Sequence, residues 1–123
     1  DVRIVTPHKW DKRFVHLTTQ SYYRDLMAAG VQIYEYSRGF IHSKTFVADD
    51  TVATVGTTNL DFRSLYLSFE CGTLLYQTDA VPQLKEDFLN TLEQCHRITE
   101  KDCQCGPVKG VFQDILRLFA PLM

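Results

Sequence analysis

Long apolar runs are the first thing missing from this 123-residue chain. No uninterrupted stretch approaches the ~20 apolar residues that a helix needs to cross a bilayer, so the chain is not expected to span one by itself. Cysteine is scarce too. Cys71, Cys95, Cys103 and Cys105 are too few and too unevenly spaced for the disulfide frame of a small secreted scaffold. Cys103 and Cys105 also sit too close together for an easy mutual bridge, so reduced thiols are the default. Asp1 opens directly onto a short β-like run with no basic stretch before it, and no secretory leader is read there. Charge of one sign is not in excess. Thirteen basic against fifteen acidic residues leave a net charge of −2, which gives no general attraction to nucleic acid. Internal repeats and low-complexity tracts are absent as well.

What is present suits one compact domain. The length leaves no room for two, and 45% hydrophobic with 12% aromatic residues argues against disorder, collagen or coiled coil. Val2 to Val5 alternates as a short strand that Pro7 closes. Asp11 to Ala29 reads as one helix, with Asp11 as N-cap, an apolar stripe through Val15, Tyr22 and Leu26, and Gly30 as the stop. Val31 to Tyr36 is a second strand with Val31, Ile33 and Glu35 on one face, which makes a parallel βαβ unit. Ser37 to Gly39 turns. Phe40 to Ala48 and Thr51 to Val55 form an antiparallel hairpin around Asp49 and Asp50. Thr57 to Ser64 is polar and irregular, and Tyr66 to Tyr76 is a fifth strand. Asp79 to Cys95 is a helix with Pro82 in its first turn and Val81, Leu84, Phe88, Leu92 and Cys95 on one stripe. Thr99 to Gly110 is a loop, and Val111 to Leu122 is a short amphipathic helix. The fold class is α/β, a mixed sheet flanked by helices in an α/β sandwich.

The chemistry concentrates between His42 and Glu70. On a strand, His42 and Lys44 point to one face. Alone, such a pair is a solvated outer face. If the hairpin turns at Asp49 and Asp50, however, Gly56, Thr57 and Asn59 return beside the pair. Gly56 would let a substrate approach the backbone. Lys44 and Asn59 are donors suited to the non-bridging oxygens of a phosphate. His42 could attack phosphorus or move a proton. A carboxylate at Glu70 could hold the other ring nitrogen of the histidine. A lone His with Lys is a poor divalent site, and no metal or other cofactor is called for.

His42-Ser43-Lys44, four residues, Asp49, six residues, then Gly56-Thr57-Thr58-Asn59 is the HxK(x4)D(x6)GxxN pattern. It resembles the phospholipase D superfamily. Asn59-Leu60-Asp61-Phe62-Arg63-Ser64 with Glu70, the opening Asp1 to Pro7 and the ending Phe119 to Met123 resemble the C-terminal half of bacterial cardiolipin synthases, so the likeness covers nearly the whole chain. The resemblance implies that His42 is one of two active-site histidines. One forms a phosphohistidine and the other protonates the leaving alcohol. It implies that Lys44, Thr57 and Asn59 bind phosphate, that Glu70 orients a histidine, and that Asp49 ties down the hairpin. Asp61 and Arg63 would organise the loop. The implied reaction joins two phosphatidylglycerol molecules into cardiolipin with release of glycerol.

The pattern has one departure. Such a site needs two HxK motifs, and His8, His16 and His96 lack a lysine two residues on. Residues 1–123 are therefore expected to be a second, C-terminal phospholipase D-like lobe. It lacks its first strand and helix, and pairs with a lobe of the same full-length chain or with a dimer mate. A membrane surface is the expected further partner and nucleic acid is not. The full-length protein would sit at the bacterial cytoplasmic membrane with this lobe on the cytosolic side, the piece itself being soluble. A self-dimerising phosphodiesterase acting on nucleic acid, or a piece inactive alone, are the alternatives. His8, His16 and His96 read as surface or helix-face residues and Cys71, alternating with Phe69, as core. Cys95, His96, Cys103 and Cys105 match no standard zinc spacing. The C-terminal amphipathic segment reads as a packing helix, with Arg117 as its one basic residue after Val111. Lys9, Lys12 and Arg13 read as a solvated face or a contact for anionic headgroups.

Overall fold

A computed structural model describes residues 1–104 and 106–122. The strand β1 (Arg3–Pro7) leads through helices α1 (Arg13–Ser21) and α2 (Tyr23–Ala28) to β2 (Gln32–Tyr36). The two strands pair in parallel, with Ile4 opposite Ile33, so the expected βαβ unit is present. The single helix expected over Asp11 to Ala29 is bent at Tyr22, whose N–H bonds the Thr19 carbonyl at 3.1 Å. The cause lies in three hydroxyls. Thr18 and Thr19 donate to the carbonyls of Phe14 and Val15, and Ser21 donates to that of Thr18 at 2.6 Å. Such back-bonding bends a helix. Asp11 is not the N-cap. Lys12 holds that position, and the Asp11 carboxylate accepts from the Lys12 N–H instead. Gly30 ends α2 at φ +90°, the left-handed conformation that glycine takes without a Cβ penalty.

The chain then makes an antiparallel sheet of β3 (Thr45–Ala48), β4 (Val52–Gly56) and β5 (Gly72–Tyr76). The β3–β4 turn places Asp49 and Asp50 at φ 50° and 57°, a region that Asp tolerates better than most side chains. The third strand is shorter than the sequence suggested. Gly56 N–H bonds the Lys44 carbonyl at 3.1 Å, after which the chain turns away at Thr57, so residues 40–43 have no ladder partner. The fifth strand is shorter as well. Arg63–Leu67 is a π-helical turn, opened by Asp61, whose carboxylate accepts from the Ser64 N–H at 2.6 Å.

Helix α3 (Ala80–Leu92) follows, with Val81 wholly buried at 0% exposure. It stops short of Cys95. That residue instead opens β6 (Cys95–Arg97), a strand absent from the sequence reading, which pairs antiparallel with β2. The strands thus form two three-stranded sheets, β1-β2-β6 and β3-β4-β5, rather than one mixed sheet. Helix α4 (Pro107–Leu118) starts four residues earlier than expected and is followed by a 3-10 turn (Ala120–Leu122). It is a packing helix, as expected, and the element it packs on is α1. The Phe14 and Phe112 rings lie 6.5 Å apart, and Arg117 stacks 4.3 Å from the Tyr22 ring while pairing with Asp25. The core clusters on Tyr23, Ile33 and Ile98. Burying three such side chains stabilises the fold by roughly 1.5–3 kcal/mol each. No described helix is long and apolar enough to cross a membrane.

Candidate active site

The site forms where the β3–β4 hairpin ends and the segment from Thr57 to Cys71 begins and closes. The Lys44 carbonyl accepts from Gly56, which brings the end of His42-Ser43-Lys44 against the start of Gly56 to Asn59. Gly56 is required here by its own sheet. A Cβ at this position would lie 2.5 Å from the Cys71 carbonyl oxygen and 2.7 Å from the Gly72 Cα. The close approach expected for a substrate is therefore taken by β5.

Thr57 joins the two ends of the segment. Its N–H bonds the Cys71 carbonyl at 2.9 Å, its hydroxyl donates to Glu70 Oε2 at 2.5 Å, and the same oxygen accepts from the Cys71 N–H at 3.0 Å. The hydroxyl's single proton has the Cys71 carbonyl at 3.3 Å as a second acceptor, and the closer Glu70 carboxylate takes it. Thr57 and Ser64 hydrogen bonds, with the charges of Lys44 and Arg63, hold the Glu70 carboxyl below its ordinary range against a smaller opposing effect of desolvation. Glu70 is an anion at neutral pH, fixed in place.

His42 is exposed, and its ring stacks on Phe40 with centroids 5.7 Å apart and planes 21° from parallel. Lys44 is half-buried and its ammonium donates to the His42 carbonyl at 2.8 Å. Asn59 is exposed just beyond β4. Asp49 stands apart at the far end of the hairpin, separated by the four residues of β3, or roughly 13 Å of strand. The carboxylate that ties this turn down is that of its neighbour Asp50, paired with Lys85 on α3. The hairpin therefore gathers Lys44, Gly56, Thr57 and Glu70 at one end and leaves Asp49 at the other.

Sequence reasoning missed Phe40 as the platform for the imidazole and Ser64 as a second donor to Glu70. An aromatic two residues before the histidine was the available signal for the first. Cys71 is exposed rather than core, because it lies in the closing loop instead of on a strand, and Phe69 is fully exposed for the same reason. Among the described residues the cysteines do not converge. Cys95 Sγ donates to the Thr91 carbonyl, Cys103 Sγ faces Met27 Sδ at 3.8 Å, and Cys105 lies outside the described residues. Among the described residues no group of three or more His, Cys, Asp or Glu could hold a metal ion.

Residues 1–92 match the family described as cardiolipin synthase, phospholipase D-like domain, and the chain belongs to that family. It is 42% identical over its whole length to a cardiolipin synthase of a Geobacillus species (strain WCH70), covering 25% of that protein. It is 46% identical over its whole length to a cardiolipin synthase 2 of Bacillus cereus, covering 24% of it. An uncharacterized protein of Streptococcus mutans serotype c is 44% identical over the whole chain, which covers 27% of it. The chain thus spans about a quarter of the length of the relatives it matches.

Proposed function

We propose that residues 1–123 form one catalytic lobe of a phosphatidyltransferase that joins two phosphatidylglycerol molecules into cardiolipin and releases glycerol. The observation that carries this reading is the hairpin end that holds Lys44 against Gly56 and Thr57 and fixes Glu70 as an anion beside them. Lys44 and Asn59 bind the non-bridging phosphate oxygens, where a cation and a carboxamide offset the charge that grows in the transition state. Thr57 acts on phosphate through Glu70, which it holds ready to orient a histidine. Asp49 has a structural role in the turn.

The chain supplies one histidine of the pair, His42, and a second HxK lobe supplies the other, from the same long chain or from a dimer mate. One imidazole attacks phosphorus and forms a P–N bond as the P–O bond to the leaving glycerol breaks. The other imidazole delivers the proton to that oxygen. It then takes the proton of the second lipid's primary hydroxyl, whose oxygen forms the new P–O bond as P–N breaks. Splitting one hard displacement into two is the gain of the covalent route. The substrate places the whole protein at a bacterial membrane, with this lobe at the lipid surface.

The test uses phosphatidylglycerol in mixed micelles and the full-length parent protein. His42→Ala is expected to lower cardiolipin and glycerol release together by roughly 10²–10⁴-fold. Unchanged product from that variant would remove His42 from the site. The 123-residue chain alone is expected to show no turnover. Cardiolipin formation by it as a monomer, or DNA cleavage by it as a symmetric dimer, would overturn the two-lobe lipid reading.

A further inference from the structure

A second cluster of titratable groups lies around His8, apart from the residues assigned above. The His8 backbone N–H bonds the Tyr36 carbonyl at 3.0 Å, which holds it beside the end of β2. Its Nδ1 lies 2.7 Å from Glu35 Oε2. Glu35 is only 4% exposed. Its other oxygen accepts from the Tyr23 hydroxyl at 3.1 Å and the Gln20 amide at 3.4 Å, and Thr6 bonds the same Tyr23 hydroxyl at 2.8 Å. Burial pushes the Glu35 carboxyl up, but the hydrogen bonds from His8, Gln20 and Tyr23 outweigh it and hold the group below its ordinary range. Burial likewise raises the Tyr23 phenol, so that it stays a donor. A buried carboxylate with both oxygens committed fixes the ring that touches it, Nδ1 inward and Nε2 outward.

His96 lies more loosely against a second, exposed carboxylate lining the same cleft. Its Nε2 lies 3.5 Å from Asp102 Oδ2. That oxygen also accepts from the Thr99 N–H and hydroxyl at 2.8 and 2.6 Å, and these bonds hold the Asp102 carboxyl below its ordinary range. The two imidazoles remain 60% and 64% exposed. They line a cleft of about 320 Å³ together with Lys109, which makes no ion pair among the described residues. That size is near the lower end for small-molecule sites. A purely structural polar network would close on itself. Here the carboxylates of Glu35 and Asp102 line the hollow too, each set against one imidazole, and the Lys109 ammonium is the lining cation left without an acidic partner among the described residues.

We infer that this cleft is a second oxyanion site that takes a phosphate group, carried by an anionic phospholipid headgroup or free in solution. Lys109 supplies the lasting positive charge, and the two rings donate when protonated or accept from a protonated phosphate oxygen. His16 on α1 stands near enough to feel Glu35, His8 and Lys109, and burial lowers its proton affinity, which disfavours a further positive charge there.

The inference is independent of the proposed chemistry at His42 and is tested separately. Inorganic phosphate is titrated into the ¹⁵N-labelled chain at constant ionic strength, and the imidazole nitrogens are followed by NMR. The His8 and His96 signals are expected to shift together and saturate. Lys109→Ala, at an exposed position, is expected to weaken that binding about tenfold, as loss of a charge-assisted bond does. His96→Gln should weaken it too, whereas Lys44→Ala should leave it unchanged. Co-sedimentation with phosphatidylglycerol vesicles, lost in Lys109→Ala and absent with phosphatidylcholine, would assign the site to a lipid headgroup. Phosphate binding without vesicle binding would assign it to free phosphate. Imidazole signals that do not move, or a His8 signal that titrates in Lys109→Ala and His96→Gln just as it does in the unchanged chain, would overturn the inference.

Discussion

The strands β1, β2 and β6 keep their apolar side chains covered, whereas β3, β4, β5 and the loop before β5 leave many of theirs open. Ile33 is 1% exposed under α2 and beside Ile98, and even the charged Glu35 is buried with every oxygen bonded. Leu74 is 68% exposed on β5, and Tyr66, Leu67 and Phe69 stand out from the loop before it. The candidate catalytic groups all belong to the second region. The first region buries its own core, and the second leaves apolar surface uncovered, as the proposed pairing with a second lobe would require. The same division explains why the polar network at Glu35 is tightly fixed while His42 rests only on Phe40.

The widest measurable gap between the regions is expected in their cores. Ile33→Ala should cost about 2–5 kcal/mol in urea unfolding, since it opens a cavity at the centre of the Tyr23–Ile98 cluster. A cost below 1 kcal/mol would break the contrast. Gly56→Ala should follow at about 1–3 kcal/mol, because the new methyl meets backbone atoms of Cys71 and Gly72 that cannot rotate away. It should also loosen the Thr57–Cys71 amide pair, visible as faster hydrogen exchange. A smaller effect is expected from pH. The Glu35 carboxyl is depressed in the folded state, so its contribution is complete above the unfolded value, about 4.3. It is lost as the pH falls through the lower folded value. Stability should therefore drop along that acid limb, and Glu35→Gln should flatten the drop. An unchanged slope would show that the network does not hold the carboxylate as an anion. At the small end, Leu74→Ala should change stability of the isolated chain by no more than about 0.5 kcal/mol.

Local pattern carried much of this outcome. The face shared by Ile33 and Glu35, the stop at Gly30, the turn at Asp49 and Asp50 and the order of motifs were legible because each depends on residues within a few positions. The errors arose where distant contacts decided. Cys95 to Arg97 is too short to announce a strand, and it becomes one only because β2 offers an open edge. Tyr66 to Tyr76 alternates like a strand, yet Asp61 winds its first part into a π-helical turn. His8 is the surface residue it was expected to be, but nothing near it in sequence hints at its contact with Glu35, 27 positions on. At the candidate site the motif named the residues, but the commitment of the Thr57 hydroxyl to Glu70 depends on the loop closing on itself.

That closure has a consequence for how the lobe can change over time. Thr57 and Cys71 clasp the segment between them at its two ends, through main chain on one side and a hydroxyl on the other. Whatever length or sequence lies between the clasped residues, the register of β4 against β5 is set outside it, by the pairs from Val52–Tyr76 to Gly56–Gly72. The part of the segment beyond Ser64, from Leu65 to Phe69, is thus free to vary without shifting that register. Residues can be exchanged, inserted or deleted at its tip while the hairpin that holds Lys44 stays where it is. A lineage of such lobes can reshape its loop without rebuilding the hairpin beneath it.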